Sequence, residues 1–397
     1  MEWVSLVKCH TDYCPRRRYR ASFERVVRPR LCIHQYQNVS GPIGGKVIID
    51  LIIEKSKDRP MSVSQMSVAV VYGGDSAERE VSIASAAQIV SAMRSRGHAV
   101  RAIDLRDGPL ALEDEATLFS QGYGRALNVN DLGGQSPLRP SRLIDWLRDV
   151  DVAFLALHGG TGENGTVQTI LELGGVPYTG STPVGSAIAM DKDVSKRLYL
   201  QAEIPTARWR MAARGDHFHA ESERYPLVVK PNRQGSTIGL SLVRGPEFLA
   251  KALEKAFRYD DEVMIEEFIR GRELTVGILG DRALSVGEVM VSEETVFDFE
   301  TKYVPGAARE IFPAQIGEVL TEQLLEYALR AHKALKLRGY SRTDFRVTDG
   351  GSIYCLESNT LPGMTSTSLY PQSAEAVGLP FAELCERICK MALDSRC

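Results

Sequence analysis

Two short, unbroken apolar runs, each emptying into a glycine-rich turn, set the strongest limit on how this chain can fold. Residues 68–72 read Val-Ala-Val-Val-Tyr and lead into Gly73-Gly74-Asp75-Ser76. Residues 151–158 read Asp-Val-Ala-Phe-Leu-Ala-Leu-His and lead into Gly159-Gly160-Thr161-Gly162-Glu163-Asn164-Gly165. A strand without polar alternation is buried on both faces, as in a parallel sheet covered by helices. After the first run, Ile83, Ala86, Ala87 and Val90 recur at helical spacing within residues 78–96. Strand, glycine turn and helix predict an opening α/β unit whose turn lets a ligand approach the helix N-terminus. The turn is not GxGxxG, so the dinucleotide fingerprint of a nicotinamide dehydrogenase is absent.

At 397 residues the chain is too long for one ordinary core, and two or three packed units are expected. A net charge of −3 leaves no electrostatic footprint for nucleic acid or a membrane surface. No stretch approaches the ~20 apolar residues of a membrane span, and residues 47–53 are interrupted by Asp50. The seven cysteines form no CxxC pair and have no histidines at zinc spacing, which fits reduced thiols in cytosol. Residues 1–60 differ from the rest, with 12 Lys/Arg against 6 Asp/Glu and no sustained periodicity. No apolar segment follows the arginines, so a secretory signal is not indicated. We expect residues 1–65 to lie outside the fold, with Met61 or Met66 as the biological start.

The segment 225–232 reads as a strand ending in Lys230, followed by Arg233-Gln234-Gly235-Ser236-Thr237-Ile238-Gly239. Small residues with free N–H groups can fold over phosphates beside a compact ammonium; a solvated strand-end lysine is the alternative. Glu266, Glu267 and Glu273 follow on the next β segment and its turn, and on pattern alone they read as solvated charges. Further on, residues 342–348 and 352–359 predict a hairpin across Asp349-Gly350, a preferred two-residue turn. In that register Phe345 faces Tyr354 and Thr343 faces Leu356, with Val347 on the same apolar side. Asp344 then lies opposite Cys355, and Arg342 opposite Glu357, with Asn359 projecting the same way. Two carboxylates and an amide on one face suit magnesium, which shares its shell with water and nucleotide phosphates.

These segments, in order, resemble the D-alanine–D-alanine ligases of the ATP-grasp superfamily. The matching stretches are residues 73–82, His158-Gly159, residues 162–168, Met190-Asp191-Lys192, Lys230-Pro231, Lys302-Tyr303, Arg342-Thr343-Asp344 and residues 357–366. Together they span about residues 67–390. The fold the resemblance implies is α/β, becoming α+β in the ATP-grasp part. A parallel-sheet substrate domain would occupy 66–183, a central lid 184–271, and a C-terminal domain with the metal site 272–397. ATP and D-alanine are the implied substrates, with two magnesium ions that manganese could replace. Lys192, Lys230, Ser236, Glu266, Glu267, Glu273 and Lys302 become nucleotide contacts, and Asp344, Glu357 and Asn359 metal ligands. Glu78 would hold the first D-alanine's ammonium near His158, with Ser236 and Tyr303 beside it. Lys302 and Tyr303 would sit on a loop closing over the site, and Ser368 would receive the second carboxylate.

The implied reaction converts a carboxylate into an acyl phosphate, which a second amine attacks through a tetrahedral oxyanion. Arg342 and the Gly363 N–H are the expected oxyanion donors, a role in which one lost donor costs about 10²–10³ in rate. Asn164, Thr367 and Thr169 depart from the family's usual Asp, His and Gly. Tyr303 favours an amine acceptor over D-lactate, and D-serine stays open as an alternative. The resemblance further implies a cytoplasmic homodimer that supplies peptidoglycan synthesis.

Overall fold

The apolar run at residues 68–72 is a buried strand, and the rest of its sheet explains why it carries no polar alternation. A computed structural model describes residues 65–76, 78–120, 139–216, 220–290 and 309–395, all within one compact unit, Ser62–Cys397. Strand β1 (Ser67–Tyr72) lies between β2 (Ala99–Asp104) and β4 (Val152–Leu155), parallel to both, with the short β3 (Gly108–Pro109) antiparallel at the edge. A parallel pair needs a crossover. Here it is the helix Arg79–Ser95, which buries Ala86, Ile89, Val90 and Met93 against the sheet. The C-terminal helix Phe381–Asp394 packs beside that helix and against β4, and its Leu384, Cys385, Ile388 and Cys389 join the same core. Burial pushes both of those thiols up, away from reactivity, so these cysteines pack as small apolar side chains.

Two antiparallel sheets follow. The first comprises β5 (Trp209–Ala213), β6 (Leu227–Pro231), β7 (Ser241–Val243) and β8 (Glu262–Glu267), in the order β5-β8-β6-β7. Leu227, Val229, Val263 and Ile265 turn inward beneath the helix Pro246–Ala256. By alternation Val228, Lys230, Met264 and Glu266 share the opposite face. The second sheet has the order β11-β10-β9-β12-β13, from β9 (Arg272–Leu279), β10 (Arg282–Met290), β11 (Arg309–Ile311), β12 (Tyr340–Val347) and β13 (Ile353–Asn359). The helix Glu318–Ala334 backs it with Leu324, Ala328 and Ala331.

The C-terminal hairpin corrects the expected register. Thr348 pairs with Ser352 and the Gly351 N–H donates to the Thr348 carbonyl, so the loop has three residues rather than two. Gly351, at φ +81°, supplies the left-handed position that closes such a loop. Phe345 therefore faces Cys355, not Tyr354, and Cys355 is buried on the apolar side. A bulge between Asp344 and Phe345 adds a second one-residue shift. Beyond it Asp344 faces Glu357, Thr343 faces Ser358 and Arg342 faces Asn359. Two shifts of one residue restore the parity of side chains, so the acidic and amide groups still share a face although every expected partner was wrong.

Replacing Gly351 with Ala should destabilise the protein by about 1–2 kcal/mol in urea unfolding. Gly350→Ala, in an ordinary φ and with nothing closer to its added Cβ than Thr348 Oγ1 at 3.8 Å, should be close to neutral. The reverse ranking would restore the two-residue turn.

Candidate active site

The helix Lys192–Gln201 buries Lys192, Ser195, Lys196 and Tyr199, a run of i, i+3, i+4 and i+7 positions along one face. That face looks onto the gap between the two antiparallel sheets. Within the gap lies an open cleft walled by Lys192, Lys230, Glu266, Glu273, Asp344 and Glu357. Ser236 and Glu267 also line it. Lys192 donates to the Gln234 carbonyl at 2.7 Å and pairs with Glu357 at 3.2 Å. Lys230 pairs with Glu266 at 2.6 Å, and Glu273 with Arg346 at 3.1 Å. Glu266 itself is 2% exposed and carries a second lysine, Lys196, at 2.5 Å. Burial alone would push its carboxyl up, yet Lys230 and Lys196 together hold it below its ordinary value. Glu267, by contrast, is exposed at the rim.

At one end of the cleft the loop after β6 meets the first sheet. Ser236 and Thr237 adopt φ of +47° and +61°, sparsely populated for residues with a side chain and a mark of imposed local strain. Ser236 Oγ donates to Glu78 Oε1 in a short contact. A Cβ at Gly235 would lie 2.9 Å from Glu78 Oε2, and one at Gly159 would lie 2.8 Å from the same atom. A side chain at either glycine would have to push this carboxylate aside, and Gly159 also holds a left-handed φ of +63°. Glu78 sits at the N-cap position of the helix Arg79–Ser95, and its N–H donates to Ser76 Oγ. Ser76 in turn donates to the His158 carbonyl at 2.5 Å. Thus the turns after β1, β4 and β6 converge on one acidic side chain.

His158 is buried, and that burial pushes its imidazole down to about 4, so it is neutral near pH 7. Its Nε2 lies 3.3 Å from Ser85 Oγ, which also accepts the Met364 N–H at 3.3 Å. Gly363 packs against Ser368, whose Oγ would lie 2.9 Å from an added Cβ. Ser368 Oγ also accepts the Thr365 N–H at 3.2 Å, and Thr367 Oγ1 lies 3.2 Å from Thr365 Oγ1. On the sheet floor, Arg342 donates to both oxygens of Asp344 at 2.9 and 2.8 Å, Thr275 donates at 2.7 Å, and Asn359 Nδ2 donates at 3.2 Å. Lys302 and Tyr303 lie outside the described residues.

One acidic residue escaped the sequence reading as a functional group. Glu163 accepts the Gly159 N–H at 3.1 Å and the Leu361 N–H at 3.3 Å, tying the turn after β4 to the loop after β13. Burial, then the negative charge of Glu78, pushes its carboxyl up to about 7. Its position inside a glycine turn was visible in sequence, but nothing there showed a partner 198 residues away. Between about pH 4.5 and 7 the folded protein holds a proton on Glu163 that the unfolded chain has released, so stability falls as pH rises. Relative to Glu163→Gln, the wild type should lose up to about 1.4 kcal/mol per pH unit across that window. Parallel pH–stability curves for the two proteins would contradict this.

An open, charge-lined cleft between two antiparallel sheets, with a separate carboxylate cradle at its end, is the arrangement of the ATP-grasp class of ligases. Family models agree at both ends of the chain: D-ala D-ala ligase N-terminus matches residues 67–181, and D-ala D-ala ligase C-terminus matches residues 198–390. The D-alanine–D-alanine ligase of Geobacter sulfurreducens is 43% identical over 325 residues, covering 81% of this chain and 92% of its own. That of Desulfotalea psychrophila is 40% identical over 339 residues, covering 83% and 96%. Among solved structures, D-alanine–D-alanine ligase from Bacillus anthracis complexed with ATP superposes with a TM-score of 0.67 at 31% identity, covering 83% of this chain and 98% of that one. The VanG D-Ala:D-Ser ligase from Enterococcus faecalis gives 0.68 at 30% identity, covering 83% and 99%. This chain belongs to the D-alanine–D-alanine ligase family.

Proposed function

We propose that this protein joins two D-alanines at the expense of ATP, forming D-alanyl-D-alanine, ADP and inorganic phosphate for peptidoglycan synthesis. The observation that carries the reading is the continuity of the two sites. Gln234 accepts from the cleft lysine Lys192, while the next two residues, Gly235 and Ser236, close on Glu78. One short loop therefore spans the place for phosphates and the place for an amino acid. D-Alanine is favoured because the curated relatives at about 40% identity bear that name.

In this reading Glu78 holds the first D-alanine's ammonium, and neutral His158 sits beside it without adding a competing positive charge. The substrate carboxylate attacks the γ-phosphorus of ATP, giving an acyl phosphate and ADP. Lys192, Lys230 and Lys302 neutralise the phosphates, and Glu267 and Glu273 face the adenosine. Glu266 is engaged by two lysines and acts through Lys230. The donor set fits magnesium: Asp344 and Glu357 face each other across adjacent strands, with the Asn359 amide on the same face. When bound there, magnesium supplies charge neutralisation for the transferring phosphoryl group.

The second D-alanine, its carboxylate at Ser368, then attacks the acyl carbon with a neutral amine. The C–N bond forms, the C–O bond to phosphate breaks, and the amine's proton is lost to water. Arg342 and the Gly363 N–H stabilise the oxyanion between these events. The enzyme works as a cytoplasmic homodimer.

Phosphate release with ATP, magnesium and D-alanine alone should yield the dipeptide by mass, with L-alanine inactive. Arg342→Ala should lower kcat by about 10²–10³. Turnover that required D-serine, giving a mixed dipeptide, would reassign the acceptor and turn attention to Thr367 and Asn164. No turnover with either would overturn the reading.

A further inference from the structure

Lys196 stands one helical turn beyond Lys192, on the same buried face, yet it has no access to the cleft or to solvent, being 0% exposed. Its ammonium donates to Glu266 Oε1 at 2.5 Å and to Thr206 Oγ1 at 2.5 Å, and lies 5.0 Å over the Trp209 ring. Strand register explains the arrangement. Trp209 pairs directly with Glu266 across β5 and β8, and Lys230 lies diagonally from Glu266 across β6 and β8. All three side chains therefore rise from one face, and the helix sets Lys196 on top of them. The other Glu266 oxygen meets Lys230 at 2.6 Å.

A buried ammonium is costly unless its environment is built for it, and replacing such pairs by apolar groups is often neutral or stabilising. Stability alone is thus a weak reason for two lysines on one carboxylate. Counting charges gives a better one: Glu266 with Lys230 alone sums to zero at the cleft wall, while adding Lys196 leaves a net charge of +1.

We infer that Lys196 is a positioning residue for nucleotide binding, neutralising Glu266 from behind so that the charge of Lys230 is available to the phosphates. The inference rests on the proposed assignment of Lys230 to the phosphates. Without Lys196, Lys230 becomes the counter-ion of a buried carboxylate, and a phosphate must compete with that carboxylate for it. Adenosine, lacking phosphates, feels none of this.

The test is calorimetric binding of magnesium-ATP and of adenosine to the full chain and to four variants. Lys230→Met should weaken ATP and spare adenosine; if ATP binding is unchanged, the assignment of Lys230 itself fails. Given that result, Lys196→Met should raise the Kd for ATP by about 10–100-fold and that for adenosine by less than about twofold. The double variant K196M/E266Q, with both charges removed, should bind ATP as tightly as Glu266→Gln alone. Should Lys196→Met fail to fold, the comparison of the double variant with Glu266→Gln carries the test. Equal losses for ATP and adenosine, an unchanged ATP Kd in K196M, or a double variant weaker than E266Q would make Lys196 a purely structural ion-pair member.

Discussion

The hydrogen bond from Ser236 to Glu78 joins side chains 158 residues apart, and the functional layout depends on that closure. Glu78 begins a helix on the parallel sheet, while Ser236 belongs to a loop of the first antiparallel sheet. Gly159 and Gly235 approach the carboxylate closely on either side, so three turns surround one charge. Glu163 adds a second tie, from the turn after β4 to Leu361 after β13. The amino-acid cradle is therefore a junction of loops, and none of the three sheets could build it alone.

Charge balance organises the other half of the site. Asp344 is held by Arg342 and Thr275, Glu357 by Lys192, Glu273 by Arg346, and Glu266 by two lysines. Carboxylates this close together would repel one another in a low-dielectric cleft without such partners. In the proposed reading, a polyanion with its cation would exchange partners among charges already in place, which leaves little side-chain ordering for the moment of binding. These charged groups stand on strands and one helix, which hold them more rigidly than loops would.

How much of this was legible in the sequence follows from the range of the forces involved. Strand β1 was read to within one residue, since a short unbroken apolar run ending at a glycine turn marks a buried strand. The first helix was read to within a residue at each end. The hairpin's polar face was correct, but its partners were not, because a bulge and a third loop residue leave no local signature. Glu266, expected as a nucleotide contact, lines the cleft with its carboxylate engaged by Lys196 and Lys230. Lys196 was missed because Glu266 lies on a strand 70 residues away, and Glu163 because Leu361 lies in a loop 198 residues away, although a lysine pair at i and i+4 was a usable hint. Lys302 and Tyr303, legible only through family resemblance, lie outside the described residues.

The central claim is that the carboxylate held at this junction is phosphorylated by the nucleotide in the adjoining cleft. Turnover of D-alanine labelled with ¹⁸O in its carboxylate tests it directly, with mass analysis of the released phosphate. The account predicts one labelled oxygen carried into inorganic phosphate for each dipeptide formed. Unlabelled phosphate at full dipeptide yield would mean that the carboxylate is activated without bonding to phosphorus, and would contradict it.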